Sequence, residues 1–268
     1  MSSPASTPPN TATGSLDVEL IPIFSDNYVY RIAPRDGGPV AIVDPGQAAP
    51  VLDRLAATGD RVEWILITHH HPDHIGGVAE LKEATGAKVA GPASERARIG
   101  GIDRPLQQGD HIRIAGERAE VIETPGHTAG HISYWFPQSR ILFCADTLFS
   151  LGCGRLFEGT PATMWSSLEK LLRLPDETRV YCGHEYTQAN ARFALTIDPD
   201  NEALQRRAAE IDELRAAGKP TIPTTLGVER ATNPFLRPHD PAIRARLEMA
   251  PASNAEVFGE IRKRKDNA

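Results

Sequence analysis

Thr68-His69-His70-His71-Pro72-Asp73-His74 is the stretch on which the reading of this chain turns. In extended backbone alternate side chains point the same way, so His69 and His71 share a face while His70 looks to the other side. Asp73 and His74 lie beyond a turn stiffened by Pro72, and one short segment can therefore serve two neighbouring cations. His127, Asp146 and His184 bring the set to seven imidazole and carboxylate donors. Donors of this kind suit divalent zinc, iron or manganese without singling one out. Their number is the inventory of a binuclear hydrolase.

Each donor follows a short apolar run. Residues 64–67 precede His69, 120–124 precede the loop Pro125-Gly126-His127-Thr128, 141–145 precede Asp146, and 179–182 precede Gly183-His184. Such runs read as buried strands, and the carboxyl ends of strands are where α/β sheets build their sites. Convergence of several strand ends argues against the simpler reading of residues 69–74 as a solvated turn. For His111, His131 and His239, which have no such partners, the expectation is hydrogen-bonded core.

The 268 residues exceed the commonest single-domain size, which points to one large domain plus an appendage. A hydrophobic fraction of 40% and a charged fraction of 24% are ordinary for a globular protein, and no apolar run approaches the ~18–20 residues of a membrane span. Residues 1–15, rich in Ser, Thr, Pro and Ala, read as a disordered tail without signal or transit character. Cys144, Cys153 and Cys182 form no even disulfide framework, which agrees with a reducing, cytoplasmic setting. The net charge of −6 argues against nucleic-acid binding. The run Arg262-Lys263-Arg264-Lys265 still offers a local anion site, and Arg262 and Lys265 share a helix face. The chain is expected to act as a monomer, with no nucleic-acid or membrane partner.

Strands are predicted over 18–23, 29–33, 40–43, 64–68, 88–90, 111–114, 120–124, 131–136, 140–145 and 179–182. Helices over 51–58 and 77–85 stop at Gly59 and Gly86, and one over 162–172 opens on the N-cap Thr160 and Pro161. Met164, Trp165, Leu168, Leu171 and Leu172 give that helix a core-facing stripe. From residue 201 the period is helical: Leu204, Ala208, Ile211 and Leu214 mark one helix ending at Gly218, with others near 242–248 and 255–264. This places a catalytic domain at 16–186 and a helical, substrate-binding domain at 187–268. The latter is too small for a large core of its own, so it docks on the first and walls one side of the site.

Thr-His-x-His-x-Asp-His, Pro-Gly-His-Thr and the later Asp146 and His184 resemble the metallo-β-lactamase superfamily. Narrower features resemble glyoxalase II, the hydroxyacylglutathione hydrolases: Ser25-Asp26-Asn27-Tyr28, Thr124 to His131, Asp146-Thr147-Leu148-Phe149, Gly152-Cys153-Gly154, Cys182 to Thr187, and Asn233-Pro234-Phe235-Leu236-Arg237. The resemblance runs from about Leu16 to the end. It implies an α/β (α+β) fold, a four-layer αβ/βα sandwich with a C-terminal helical domain. It also implies two divalent ions, zinc foremost with iron or manganese as alternatives. His69, His71 and His127 would hold one, Asp73, His74 and His184 the other, and Asp146 would bridge. Arg155, Tyr186, Arg262 and Lys265 would contact glutathione. Phe157 stands where a tyrosine is common, which removes one polar contact to the thiol donor, while Arg155 replaces a lysine and keeps the charge.

The activity so implied is hydrolysis of S-D-lactoylglutathione and related 2-hydroxyacyl thioesters to the hydroxy acid and glutathione, in methylglyoxal detoxification. Paired cations make a water nucleophilic near neutral pH and stabilise the oxyanion of an attacked carbonyl. Asp146 would share the ions and Asp73 would orient the nucleophile. A thiolate, whose conjugate acid has a pKa near ~8.5, leaves without a general acid. The alternative on the same scaffold is a glutathione-persulfide dioxygenase with a single iron, which gives no use to the second group of donors.

Overall fold

Apolar runs such as Val40–Val43 and Ile141–Ala145 are buried throughout, which requires a layer on each face of their sheet. The computed structural model describes residues 14–268; the tail reading of residues 1–13 lies outside the described residues. Ser15 is tied down, its N–H and hydroxyl both donating to Glu117 Oε1 at 3.0 and 2.6 Å.

One sheet takes β1 (Leu16–Ile23), β2 (Asn27–Pro34), β3 (Val40–Val43), β4 (Val62–Leu66), β5 (Lys88–Pro92) and β6 (Arg104–Leu106) in sequence order. β1 to β3 are antiparallel and β3 to β6 parallel. The crossovers carry helices α1 (Ala49–Thr58), α2 (Pro72–Ile75), α3 (Val78–Thr85) and α4 (Arg96–Ile99). The second sheet holds β7 (His111–Ile114), β8 (Glu117–Glu123), β9 (Ile132–Phe136), β10 (Ile141–Ala145), β13 (Arg179–Cys182) and β14 (Thr224–Thr225), in the order β14-β13-β10-β9-β8-β7. Between β10 and β13 lie the small hairpin of β11 (Leu148–Phe149) and β12 (Gly152–Cys153) and then helix α5 (Pro161–Leu171).

The period of two sorts the side chains. Ala41, Val43 and Leu66 share one core with Tyr134, Phe136 and Phe143 of the second sheet, whereas Val40, Ile42 and Ile65 join Val51, Leu55 and Leu81 of α1 and α3. On the far face of the second sheet α5 meets the last helix, Trp165 against Phe258 at 6.2 Å between ring centroids. The result is the four-layer αβ/βα sandwich expected. Glycines at positive φ end α1 and α3 (Gly59 at 71°, Gly86 at 69°), and Thr160 caps α5 by accepting from the Thr163 N–H.

Beyond Tyr186 come α6 (Thr187–Ile197), α7 (Glu202–Ala216), α8 (Leu226–Thr232), α9 (Pro241–Arg246) and α10 (Asn254–Asp266). Three elements here were not anticipated, among them α8, which falls where no helix was predicted. α6 occupies residues read only as a boundary: beside Phe193 and Ile197, the other four residues it buries (Thr187, Asn190, Ala191, Ala194) are polar or alanine. β14 extends the second sheet from within the helical portion through Thr224 and Thr225 on β13. Phe193, Phe235 and Phe258 continue the main core into these helices. Among the described residues no helix is long and apolar enough to cross a membrane.

Candidate metal centre

The carboxyl ends of β4, β8, β10 and β13 meet at one edge of the sandwich and deliver His69, His127, Asp146 and His184. β10 slips register against β13 between Phe143 and Ala145, and Ala145 takes a positive φ of 36°. A bulge of this kind re-aims the next side chain, here Asp146. Gly183 is needed just before His184: a Cβ there would lie 2.4 Å from Asp146 Oδ1 and 2.8 Å from His74 Cε1. Pro72 opens α2 at its first position, which turns Asp73 and His74 back toward the edge, and the His74 N–H donates to the His71 carbonyl at 2.9 Å.

All seven donors come together. His69, His71 and His127 form one group whose ligand atoms lie within 4.8 Å of one another, and Asp73, His74 and His184 form a second. Asp146 stands between them: its Oδ2 is 3.4 Å from His127 Nε2 and 3.3 Å from His184 Nε2, and its Oδ1 is 3.5 Å from His74 Nε2. Asp73 Oδ2 reaches the Nε2 atoms of His74 and His184 at 3.5 and 3.4 Å. His71 Nδ1 and His127 Nε2 are 2.9 Å apart.

The outward nitrogens are spoken for. His74 Nδ1 faces Asp44 Oδ2 at 3.2 Å, His184 Nδ1 faces Asp26 Oδ1 at 2.9 Å, His127 Nδ1 donates to the Arg155 carbonyl at 2.9 Å, and His69 Nδ1 meets Thr68 Oγ1 at 3.0 Å. Thr68 is in turn held by Asp44, and Asn27 Nδ2 donates to Asp73 Oδ2 at 2.8 Å. Partners of this sort fix ring orientation and tautomer in metal-binding histidines. By contrast His69 Nε2, His74 Nε2 and Asp146 Oδ1 are buried with no hydrogen-bond partner among the described residues. Leaving such atoms unpaired costs about 1–3 kcal/mol each. Lone pairs that converge from imidazoles and carboxylates, with their far sides satisfied, fit divalent cations. Asp44 also falls within 4.8 Å of His69 and His74, but its oxygens are already taken by Thr68 and His74 Nδ1, which leaves it behind the centre.

Electrostatics divide the imidazoles. Burial holds His69 well below the usual histidine range and also lowers His71 and His127, so these are neutral, donor-ready rings. Burial alone would lower His74 too, but Asp146, Asp44 and Asp73 outweigh it and push it up to about 9, and Asp146 raises His184 in the same way. Asp146 itself, though burial alone would raise it, is held far below the carboxylate range by His184, His74 and His127.

A cleft of about 680 Å³ opens on the centre, lined in part by Arg155, Phe157, Tyr186, Arg262 and Lys265. The Tyr186 ring stacks on His184 at 4.6 Å and 6°. Phe157 is 63% exposed, with its ring edge-on to His71 and His127 at 5.6 and 5.2 Å. Arg262 is buried: it donates to the Cys153 carbonyl at 2.9 Å and pairs with Asp266. Lys265 is depressed by burial and by Arg262, Arg192 and Arg155 around it. Arg155 is mostly exposed, 3.5 Å from Asp266.

His70 turns away from the donors, as expected, onto Glu95 at 2.9 Å. His131 is core, stacked on His69 and held by Thr124 and Thr147. The same expectation fails for His111 and His239, which are exposed: one alternates outward on an edge strand, the other sits in a loop. Asp26, Asn27, Asp44 and Thr68 were not singled out as orienting groups. Asp44 did carry a signal, since it directly follows an apolar strand.

Fold and donor cluster define a member of the metallo-β-lactamase superfamily, and residues 21–184 match the family described as Metallo-beta-lactamase superfamily. Residues 185–268 match the family described as Hydroxyacylglutathione hydrolase C-terminus. A hydroxyacylglutathione hydrolase of Methylococcus capsulatus is 53% identical over 94% of this chain and 98% of its own length. Among solved structures, ETHE1 from Myxococcus xanthus is 25% identical with a TM-score of 0.65, over 92% of this chain and 90% of that one. TTHA1623, solved in a di-iron-bound form, is 30% identical with a TM-score of 0.55, over 78% and 95%. The chain belongs to the hydroxyacylglutathione hydrolase family, glyoxalase II, and is an enzyme of that kind.

Proposed function

We propose that the chain hydrolyses S-2-hydroxyacylglutathiones, S-D-lactoylglutathione foremost, to the 2-hydroxy acid and glutathione, in methylglyoxal detoxification. The observation that carries the reading is the Asp146 carboxylate set between two complete donor groups. His69, His71 and His127 would hold one divalent ion and Asp73, His74 and His184 the other, with Asp146 shared and zinc the favoured metal. Such ions, when bound, supply a nucleophile at neutral pH and charge for the oxyanion.

The chain's own groups do the rest. Asp73 is steadied through one oxygen by Asn27 and is partly open to the cleft, where it can accept a proton from the attacking water by a hydrogen bond. Arg155, Arg262 and Lys265 give the cleft positive charge for the glutathione carboxylates. Arg262 shares its charge with Asp266, so it acts mainly by fixing direction. Tyr186 adds a hydroxyl above His184. The departing thiolate is stable enough to need no acid. The helices of 187–268 form the substrate-binding part of a protein acting as a monomer, and the three buried free thiols suit the reducing cytoplasm.

Purified protein is expected to hold two divalent ions per chain and to cleave S-D-lactoylglutathione; chelation should abolish turnover and metal restore it. Protein carrying both ions that leaves the thioester intact would refute the reading. One iron per chain, with oxygen uptake on glutathione persulfide, would establish the dioxygenase instead. Phe157→Tyr, which adds a hydroxyl at an exposed cleft position, is expected to lower KM by about 2- to 10-fold, the worth of one net hydrogen bond, with kcat unchanged. Steady-state kinetics on the two forms decide it.

A further inference from the structure

Glu95 lies outside the cleft yet touches both segments that build the first donor group. It ends the turn Ala93–Glu95 after β5 and is 3% exposed. Its Oε2 is 2.9 Å from His70 Nδ1, and His70 is flanked by His69 and His71. Arg98 Nη1 donates to His70 Nε2 at 3.1 Å, so the ring proton is on Nδ1 and that atom donates to Glu95. The other oxygen, Oε1, accepts from Thr128 Oγ1 at 2.6 Å and from the Gly130 N–H at 2.9 Å, in the loop that carries His127. That loop is pressed against the turn: a Cβ on Gly130 would lie 2.5 Å from Glu95 Cγ and 2.3 Å from Ser94 Oγ.

We propose that Glu95 is the positioning residue of the first donor group: its carboxylate clamps the segment of His69 and His71 to the loop of His127 and thereby sets the spacing of these three ligands. This rests on the two-ion reading. A buried carboxylate with three donors is held rigidly, since moving any of them leaves a charge poorly compensated. The separation it governs, 2.9 Å between His71 Nδ1 and His127 Nε2, is short enough that a small loop shift changes what the pair can bind. The second group is held by Asp26, Asn27 and Asp44, none of which bonds to Glu95, so the effect belongs to one ion.

The test is zinc affinity, measured by competition with a chromophoric chelator, in wild type, Glu95→Gln, Glu95→Ala and Thr128→Val. Each is repeated in His184→Ala and His127→Ala backgrounds, with thermal melts of the metal-free proteins. Glu95→Gln and Glu95→Ala are expected to weaken one ion by about 10- to 100-fold, the scale for losing a group that orients a ligand, and Thr128→Val by less. The loss should persist with His184→Ala, where the first group remains intact, and vanish with His127→Ala. Metal-free Glu95→Gln should melt close to wild type even where Glu95→Ala does not. Equal losses in both backgrounds, or none, would overturn the inference. A wild type that takes up only one ion would refute the two-ion reading; the inference would fall with it only if Glu95→Gln left that ion's affinity unchanged.

Discussion

Asp146→Ala is expected to lower kcat/KM for the thioester by at least about 10³-fold, the upper range seen when one preorganised electrostatic group is removed from a water-poor site. The reason is position. Its two oxygens are 3.3 to 3.5 Å from imidazole nitrogens of both donor groups, so the loss is felt on both sides at once. Without it His74 and His184 lose the charge that raises them, and the two donor groups lose the carboxylate that stands between them, since Asp73 reaches only the second. Asp146→Asn, which keeps the shape and loses the charge, should come close to alanine in activity. Metal analysis should show fewer than two ions per chain in both variants, with far-ultraviolet circular dichroism unchanged. Near-normal turnover of Asp146→Ala would mean that the groups act independently.

Glu229→Ala should give the largest loss of stability, about 3–5 kcal/mol, since four buried donors lose their acceptor and each one left unsatisfied costs about 1–3 kcal/mol, read by urea denaturation. Glu229 is wholly buried in α8 and accepts four hydrogen bonds. Ser150 Oγ and Thr224 Oγ1 donate to one oxygen, and the Leu151 N–H and Asn233 Nδ2 donate to the other. It therefore joins the helical portion, β14 and the β11–β12 hairpin beside the cleft. Glu229→Gln should be much milder. Its amide oxygen can serve Leu151 and Asn233 while its NH₂ faces two hydroxyls, which can rotate to accept.

The pH dependence follows from the direction of the shift. Burial raises the Glu229 carboxyl, although Leu151, Thr224, Asn233 and Ser150 pull the other way. A group raised in the folded state contributes stability that is full below its unfolded pKa, about 4.3 for glutamate, and is lost as pH rises through the folded value. Wild-type stability should carry that decline and Glu229→Gln should lack it. A common pH profile for the two proteins would show that Glu229 does not titrate in that window.

Much of the site was readable before any coordinates. Imidazole and carboxylate are the only donors at these spacings, each donor follows an apolar run, and the alternation of His69 and His71 around His70 is a property of extended backbone. Arg262 read less well. As one of four consecutive basic residues it was legible as part of an anion site, but nothing in the run showed that its side chain is buried against Cys153 and Asp266. Helix α6 was hidden because four of the six residues it buries are threonine, asparagine or alanine, with only Phe193 and Ile197 large and apolar among them.

The linear order of residues determined the layered fold, through strands apolar on both faces, and the list of donors, through chemistry that only a few side chains possess. Tertiary structure alone decided that Asp146 stands between two groups, that Asp26, Asp44 and Glu95 orient rings far from them in sequence, and that Glu229 locks the helical portion beside the cleft. The physical reason is range. Periodicity and residue type act over a few neighbours, whereas a hydrogen bond between residues 26 and 184 exists only after two sheets have packed and brought their edges together.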